Sequence, residues 1–121
     1  MSRRAFEILE PLRRSTGVVF ASPHSGRDYS WSFLRRSALD EQTIRSSEDA
    51  FVDQLFAHAP DCGAPLLAAM APRAFVDLNR ASDELDPALI DDVRKSGHNP
   101  RVGSGLGGIP RVVADGRPIY R

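Results

Sequence analysis

The chain has 121 residues, of which 41% are hydrophobic and 26% are charged, a composition typical of a single soluble globular domain. Sixteen basic residues balance sixteen acidic ones, so no overall charge favours nucleic acid or an anionic membrane surface. No apolar run is long enough to span a bilayer, and no apolar segment follows the charged N-terminus as in a secretory signal. The single cysteine, Cys62, excludes an internal disulfide, and these features together predict a cytoplasmic protein.

The first predicted strand covers residues 18–21, an apolar run that ends in a polar turn. Such a strand needs cover on both faces, as in a parallel sheet flanked by helices, so an α/β protein is predicted. Residues 3–16 are charged and mixed in pattern, and no element is predicted there. Their apolar side chains are candidate anchors on the body of the fold: Phe6, Ile8 and Leu9. Ser30 can cap a short helix, whereas residues 39–45 are polar and irregular in pattern.

The clearest helix signal begins at Ser47. Ser46 or Ser47 can cap a helix, and the acidic Glu48 and Asp49 suit its positive end. Apolar side chains then recur at helical spacing: Phe51, Val52, Leu55 and Phe56. The helix is predicted to end before Pro60.

Two further strands and a hairpin are predicted beyond this helix. Residues 64–70 and 74–78 are short apolar runs followed by turn-forming or polar residues. Residues 82–95 are acidic and are predicted as a loop that leads to a short helix. Residues 99–110 are rich in glycine and predict a loop, and a β-hairpin is expected around the Asp-Gly pair within residues 112–120. With so few strands, we expect either an unfinished sheet or an unusually small domain.

His24 follows the first predicted strand, at the edge of the sheet where open α/β proteins bind ligands. An imidazole there can be a metal ligand or a general base, or it can simply cap a turn. The predicted helix start at Glu48 and Asp49 can approach the same edge, and an imidazole with a carboxylate would supply two ligands of a catalytic zinc site. The alternative is that Glu48 and Asp49 only cap the helix and offset its dipole.

Residues 77–80, Asp-Leu-Asn-Arg, place an acid, an amide and a guanidinium side by side after the third predicted strand. Arg80 can hold a substrate carboxylate through two hydrogen bonds, and Asn79 can add an amide donor. Arg73 is a second candidate for the same task. The alternative is a surface Asp–Arg ion pair of little energetic value.

Two other interpretations receive little support from the sequence. The glycine-rich stretch 103–108 lacks the following helix of a dinucleotide-binding motif, so a mobile loop that closes over a pocket fits it better. Ser22 and Ser25 do not lie in a Gly-x-Ser-x-Gly motif, which argues against a serine nucleophile. His58 and His98 have no metal-binding spacing around them.

Taken together and in chain order, five segments resemble the N-formylglutamate amidohydrolase family. They are residues 22–26 (SPHSG), 47–55 (SEDAFVDQL), 72–80 (PRAFVDLNR), 105–110 (GLGGIP) and 116–120 (GRPIY). Each motif alone is common, but the ordered series is specific and covers nearly the whole chain. The resemblance implies the N-terminal part of a zinc exopeptidase-like α/β hydrolase, a three-layer sandwich with a mostly parallel sheet.

The resemblance also implies an activity and a set of site residues. The family hydrolyses the amide of N-formyl-L-glutamate or a related N-acyl amino acid, and releases formate or another acid. By resemblance, His24 and Asp49 would bind Zn²⁺, with Glu48 as the alternative carboxylate ligand. Arg80 with Asn79 would hold the substrate α-carboxylate. Arg73 would polarise the scissile carbonyl or bind a carboxylate.

Some of these expectations stay open at the level of sequence. The family's further zinc histidine and catalytic acid match no residue here, so the catalytic residues are unassigned. The expected partner is a small N-acyl amino acid, with neither nucleic acid nor membrane, and the oligomeric state is undetermined. The alternative function is a truncated, non-catalytic domain that binds an acidic metabolite through Arg73 and Arg80.

Overall fold

A three-stranded sheet organises the chain. The structure is a computed structural model that describes residues 3–94 and 99–121. Its strands are β1 (Phe6–Leu9), β2 (Phe20–Ser22) and β3 (Leu66–Ala69), in the order β1-β3-β2. Strand β3 pairs antiparallel with β1 and parallel with β2. The α/β class is therefore confirmed, whereas these strands form a mixed sheet rather than the mostly parallel one expected.

Strand β3 lies within the predicted run 64–70, and β2 overlaps the end of the predicted run 18–21. Both predictions rest on apolar runs whose length suits a buried strand. Strand β1 was not predicted, since its residues belong to a charged segment and its partner lies far along the chain. The strand predicted over residues 74–78 is wrong. There the amides of Phe75 and Val76 donate to the Pro72 carbonyl, which forms a turn instead of a ladder.

Four short helices are present among the described residues. They are α1 (Trp31–Arg36), α2 (Glu41–Ile44), α3 (Val52–Leu55) and α4 (Pro100–Gly103). The predicted cap of α1 is confirmed, because the Ser30 hydroxyl accepts from the Phe33 amide at 3.2 Å. Helices α2 and α4 lie in segments predicted as irregular or loop. Each begins with a side-chain cap, from Asp40 and from Asn99 respectively, that can be recognised only once the helix is seen.

The long helix predicted from Ser47 is wrong in extent. Arg45–Ser47 form a 3-10 turn, Glu48 is extended, and only α3 is helical beyond it. The Asp49 amide donates to the carbonyl of His24 at 2.9 Å, so this amide does not form a hydrogen bond within a helix. Phe51 then adopts a left-handed conformation with φ of 65°. The chain at residues 48–49 is thereby tied to the end of β2.

The last predicted elements are found only in part. Residues 86–90 make a single turn, in which the Leu89 and Ile90 amides bond to the Asp86 carbonyl, instead of starting a helix. Lys95, the end of that prediction, lies outside the described residues. The Asp-Gly turn is confirmed, since Asp115 and Gly116 both have positive φ. Its flanks form isolated bridges rather than hairpin strands.

Two buried clusters make up the core. The larger one joins α1 and α2 to the C-terminal segment, through Phe33, Ile44, Ala74, Val113 and Ile119. The smaller one packs on one face of the sheet, through Ala59, Ala64 and Leu66, with Phe20 beside it. A Cβ on Gly26 would overlap the carbonyl of Ala71, so this glycine permits close packing of two backbone segments. No helix in the described ranges is long and apolar enough to cross a membrane.

Candidate active site

His24 lies between two carboxylates just beyond the end of β2. Its Nε2 is 2.7 Å from Oδ1 of Asp77, and its Nδ1 is 3.5 Å from Oδ2 of Asp49. The imidazole is mostly buried, with 12% of its side chain exposed. The structure therefore brings His24 and Asp49 together at the sheet edge where a ligand site was expected. It also adds Asp77.

Asp77 is held rigidly and is almost inaccessible, with 2% of its side chain exposed. Its amide donates to the Gly108 carbonyl at 2.8 Å, and its Oδ1 also accepts from the Asn79 amide at 2.9 Å. Burial raises the pKa of Asp77. The hydrogen bonds from His24 and the Asn79 amide, with the electrostatic effects of His24 and Arg80, outweigh burial and lower this pKa below its usual range.

The ionised Asp77 decides which nitrogen of His24 carries a proton. A carboxylate only accepts hydrogen bonds, so Nε2 of His24 must be the donor across the 2.7 Å contact. In the neutral imidazole the lone pair then lies on Nδ1, the nitrogen that faces Asp49. This is the arrangement of carboxylate and histidine that orients an imidazole toward a metal ion.

Glu48 is engaged in a different way from Asp49. Its buried carboxylate accepts from the Tyr29 hydroxyl at 2.9 Å and from Nε and Nη2 of Arg45 at 3.0 and 3.2 Å. Burial, followed by the hydrogen bond to Glu48, raises the pKa of Tyr29 above its ordinary value. Asp49 is half exposed and points its Oδ2 at His24. Of the two predicted carboxylates, the geometry thus favours Asp49 as a ligand.

The two arginines flank Asp77 but differ in their free donors. Nε of Arg73 is 3.5 Å from Oδ2 of Asp77, and 24% of its side chain is exposed. Arg80 is 10% exposed; its Nε donates to Leu106 and its Nη1 to Asn79, both through main-chain carbonyls. The Asn79 side chain is exposed. Arg80 thus ties the glycine-rich loop to the site, while Arg73 keeps more of its guanidinium accessible.

A cleft of about 440 Å³ adjoins this cluster. It is lined by residues 46–49, Arg73, Ser104, Leu106 and residues 112–116. Arg80 and Asn79 are not part of its wall. A ligand in the cleft would therefore meet the Asp49 carboxylate and the Arg73 guanidinium.

Three other polar residues singled out from the sequence do not line this cleft: Ser22, Ser25 and His58. The hydroxyls of Ser22 and Ser25 are buried and bond to each other at 2.6 Å, so neither is exposed as a nucleophile. His58 is exposed beside Asp61. His98 lies outside the described residues. The glycine-rich loop is fixed by main-chain hydrogen bonds, including that from the Gly108 amide to the Glu84 carbonyl.

The residue that sequence reasoning missed is Asp77 as the partner of His24. It was noted only as an acid beside Asn79 and Arg80, because nothing in a spacing of 53 positions predicts a contact. Among the described residues, no group of three His, Cys, Asp or Glu side chains is arranged to hold a metal ion. His24 and Asp49 are a pair of such side chains, with Nδ1 and Oδ2 3.5 Å apart.

Comparison with known proteins decides the family. The profile described as N-formylglutamate amidohydrolase matches residues 16–121, which is most of the chain. The chain belongs to the N-formylglutamate amidohydrolase family. All six residues proposed for the site from the sequence lie within the matched span: His24, Glu48, Asp49, Arg73, Asn79 and Arg80. Hydrolase chemistry on an amide bond is the family's activity.

One solved structure of the N-formylglutamate amidohydrolase family is similar to this chain over almost its full length. It is an N-formylglutamate amidohydrolase from Ralstonia eutropha JMP134, with a TM-score of 0.82 and 32% sequence identity. The match covers 96% of this chain but only 41% of the Ralstonia chain. The chain thus spans less than half the length of this relative. No curated protein matches the sequence significantly.

Proposed function

We propose that this chain supplies part of the catalytic centre of a metal-dependent amidohydrolase, which cleaves N-formyl-L-glutamate or a related N-acyl amino acid. The observation that carries the proposal is the orientation of His24 by Asp77, with Nδ1 turned toward Asp49. Family membership supports the reaction type. We also propose that the complete protein has the fold that the sequence resemblance implies, a three-layer zinc exopeptidase-like sandwich.

The donor set fits two positions of a zinc site. A neutral imidazole nitrogen and a carboxylate oxygen are ordinary zinc ligands, and catalytic sites use three protein ligands with one open position. His24 and Asp49 would hold the ion, and a third ligand is not assigned to any described residue. Bound there, zinc would act as a Lewis acid and lower the pKa of a water molecule.

The positions of Asp77 and Arg73 suggest a role for each of them in the reaction. Asp77 keeps His24 in one tautomer and one orientation throughout the reaction. Arg73 faces the cleft beside Asp49, where its guanidinium can bind the acyl oxygen or a substrate carboxylate. The assignment of Arg80 and Asn79 to the α-carboxylate rests on the family resemblance, since neither residue lines the cleft and Arg80 donates to the Leu106 carbonyl.

The overall reaction is a hydrolysis. Water adds to the acyl carbon, the C–N bond breaks, and the amine leaves with a proton as formate or another acid is released. The carboxylate of the substrate would be fixed by an arginine, so that the acyl group is presented beside Asp49 in the cleft. The group that protonates the amine is not assigned to any described residue.

The experiment measures zinc by elemental analysis and formate release from N-formyl-L-glutamate on the same sample. His24→Ala and Asp49→Ala should lose zinc, whereas Glu48→Gln should retain more of it if Asp49 is the ligand. Asp83→Ala, an exposed acid away from the site, is the matched control. Unchanged zinc content in His24→Ala would exclude His24 as a ligand.

A second candidate is a non-catalytic domain that binds an acidic metabolite through Arg73 and Arg80. It is favoured by the two arginines beside Asp77 and by the lack of a three-ligand group among the described residues. Such a domain needs no metal. Binding of glutamate or N-formylglutamate by metal-free protein, lost in Arg73→Ala and without formate release, would support this second function.

A further inference from the structure

Asp49 is the exposed carboxylate of the candidate site. Half of its side chain is exposed, and its Oδ2 lies 3.5 Å from Nδ1 of His24. Its amide donates to the His24 carbonyl at 2.9 Å, so the main chain of residue 49 is tied to the end of β2. The direction of its Cα–Cβ bond also depends on the backbone conformation of the preceding residue. Whatever holds Glu48 therefore also affects where the Asp49 carboxylate lies.

Glu48 is anchored in the interior by three hydrogen bonds. Its side chain is 4% exposed. Its carboxylate accepts from the Tyr29 hydroxyl at 2.9 Å and from Nε and Nη2 of Arg45 at 3.0 and 3.2 Å. Turning this carboxylate away from its donors would leave a buried charge unpaired, which is costly. The conformation of Glu48 is therefore firmly held.

Tyr29 connects this anchor to the core of the protein. Its ring packs against the larger core cluster, and its centroid is 6.5 Å from that of the Phe33 ring. The guanidinium of Arg45 lies over the same tyrosine ring, with Cζ 5.1 Å from the centroid. One aromatic side chain thus fixes both donors of Glu48, since it supplies one of them and packs against the other.

The main chain transmits this anchor to Asp49. Glu48 has an extended backbone, with φ of −74° and ψ of 132°. In extended chain, successive side chains point in opposite directions, so Asp49 is turned away from Tyr29 and toward His24. We propose that Tyr29 and Arg45 are positioning residues, which act through Glu48 to direct the Asp49 carboxylate toward His24.

This inference rests on the proposed function for the role of Asp49 as a metal ligand. It assigns Glu48 a role other than that of a second ligand, because the oxygens of Glu48 are already engaged with Tyr29 and Arg45. A positioning residue acts only through the group that it positions. Its replacement should therefore matter when Asp49 is present and should not matter when Asp49 is absent.

The first test is a double-mutant cycle with zinc affinity as its readout. The dissociation constant for Zn²⁺ is measured by competition with a chromophoric chelator for the wild type, Glu48→Ala, Asp49→Ala and the double variant. Glu48→Ala should bind zinc about tenfold more weakly, as when a residue that orients a metal ligand is lost. In the Asp49→Ala background the same replacement should have no further effect. A further tenfold loss in that background would overturn the proposal, because Glu48 would then act independently of Asp49.

Tyr29→Phe and Arg45→Met test the two donors one at a time. Each should weaken zinc binding by about fivefold, the effect of one ordinary hydrogen bond, and neither should do so once Asp49 is alanine. Tyr120→Phe is the matched control, because it removes a hydroxyl beside the same core cluster without touching Glu48. Circular dichroism verifies that each variant is folded. Wild-type zinc affinity in both Tyr29→Phe and Arg45→Met would overturn the proposal.

A second readout needs no metal and separates this inference from the metal-dependent function. Hydrogen exchange of the Asp49 amide is measured by NMR on zinc-free protein, with the Asp77 amide as an internal reference for global stability. Tyr29→Phe and Glu48→Ala should speed exchange at Asp49 by at least about fivefold relative to Asp77. Unchanged relative exchange would overturn the inference even if zinc binds. If the wild type binds no zinc, the metal-dependent function fails, and the exchange rates alone decide this inference.

Discussion

Replacement of Asp77 by asparagine tests the central contact of the candidate site. The change keeps the shape of the side chain but removes the charge that accepts from Nε2 of His24 at 2.7 Å. Loss of such a partner of a metal-binding histidine weakens metal affinity by about 10- to 100-fold, which is roughly 1.4 to 2.8 kcal/mol. An amide can also present its N–H to Nε2. We therefore expect part of the His24 population to carry its proton on Nδ1.

The assay is a zinc titration followed by the ¹⁵N NMR shifts of the His24 ring, which report the tautomer and detect weak binding. Asp83→Asn removes an exposed acid and should change neither reading. Far-ultraviolet circular dichroism verifies that Asp77→Asn is folded. If Asp77→Asn binds zinc as tightly as the wild type and keeps the same tautomer, Asp77 does not orient His24.

Three further predictions concern stability. Gly26→Ala should lower the free energy of unfolding by about 1 to 3 kcal/mol, because its Cβ would overlap the Ala71 carbonyl; Gly17→Ala, with no atom near its Cβ, should be close to neutral in the same urea titration. Ser30→Ala should cost about 1 kcal/mol through loss of the α1 cap, whereas a cost no greater than that of Ser82→Ala, at an exposed serine in a turn, would contradict the capping role. The pKa of Asp77 is lower in the folded than in the unfolded chain, so its stabilising effect is present above about pH 3.9 and is lost as the pH falls through the folded pKa. Asp77→Asn should therefore flatten the acid limb of a stability profile, and parallel acid limbs for both proteins would count against this.

The parts of the fold that could be predicted are those coded by local pattern. Strands β2 and β3 are short apolar runs, and the cap of α1 is a serine at the expected place. Strand β1 could not be predicted in this way. Its antiparallel partner β3 lies far along the chain, and nothing in its own mixed residues indicates that pairing.

The two errors at the candidate site share one physical cause, which is that main-chain amides there bond to groups distant in sequence. The apolar stripe after Ser47 has helical spacing, but the Asp49 amide is taken by the His24 carbonyl. Similarly, residues 74–78 have the composition of a strand, but the Asp77 amide bonds to Gly108. Both segments are irregular where they form the candidate site, as is common at functional sites.

Most members of the candidate site could be predicted, but Asp77 and the contacts between the residues could not. His24 and the acidic pair were singled out by residue type and by position at the ends of elements. The contact of His24 with Asp77 and the pairing of Glu48 with Tyr29 and Arg45 depend on the folded topology. The roles of these residues in metal and substrate binding remain predictions.

The central place of β3 in the sheet sets an order of events during synthesis. Strands β1 and β2 both bond to β3 and not to each other, so neither has a partner until residues 66–69 leave the ribosome. Asp77 follows β3 closely along the chain, so the sheet and the contact of His24 with Asp77 become possible almost together. Until then the apolar segments of the first half of the chain have no strand to pair with, a condition in which partly folded chains are prone to aggregate.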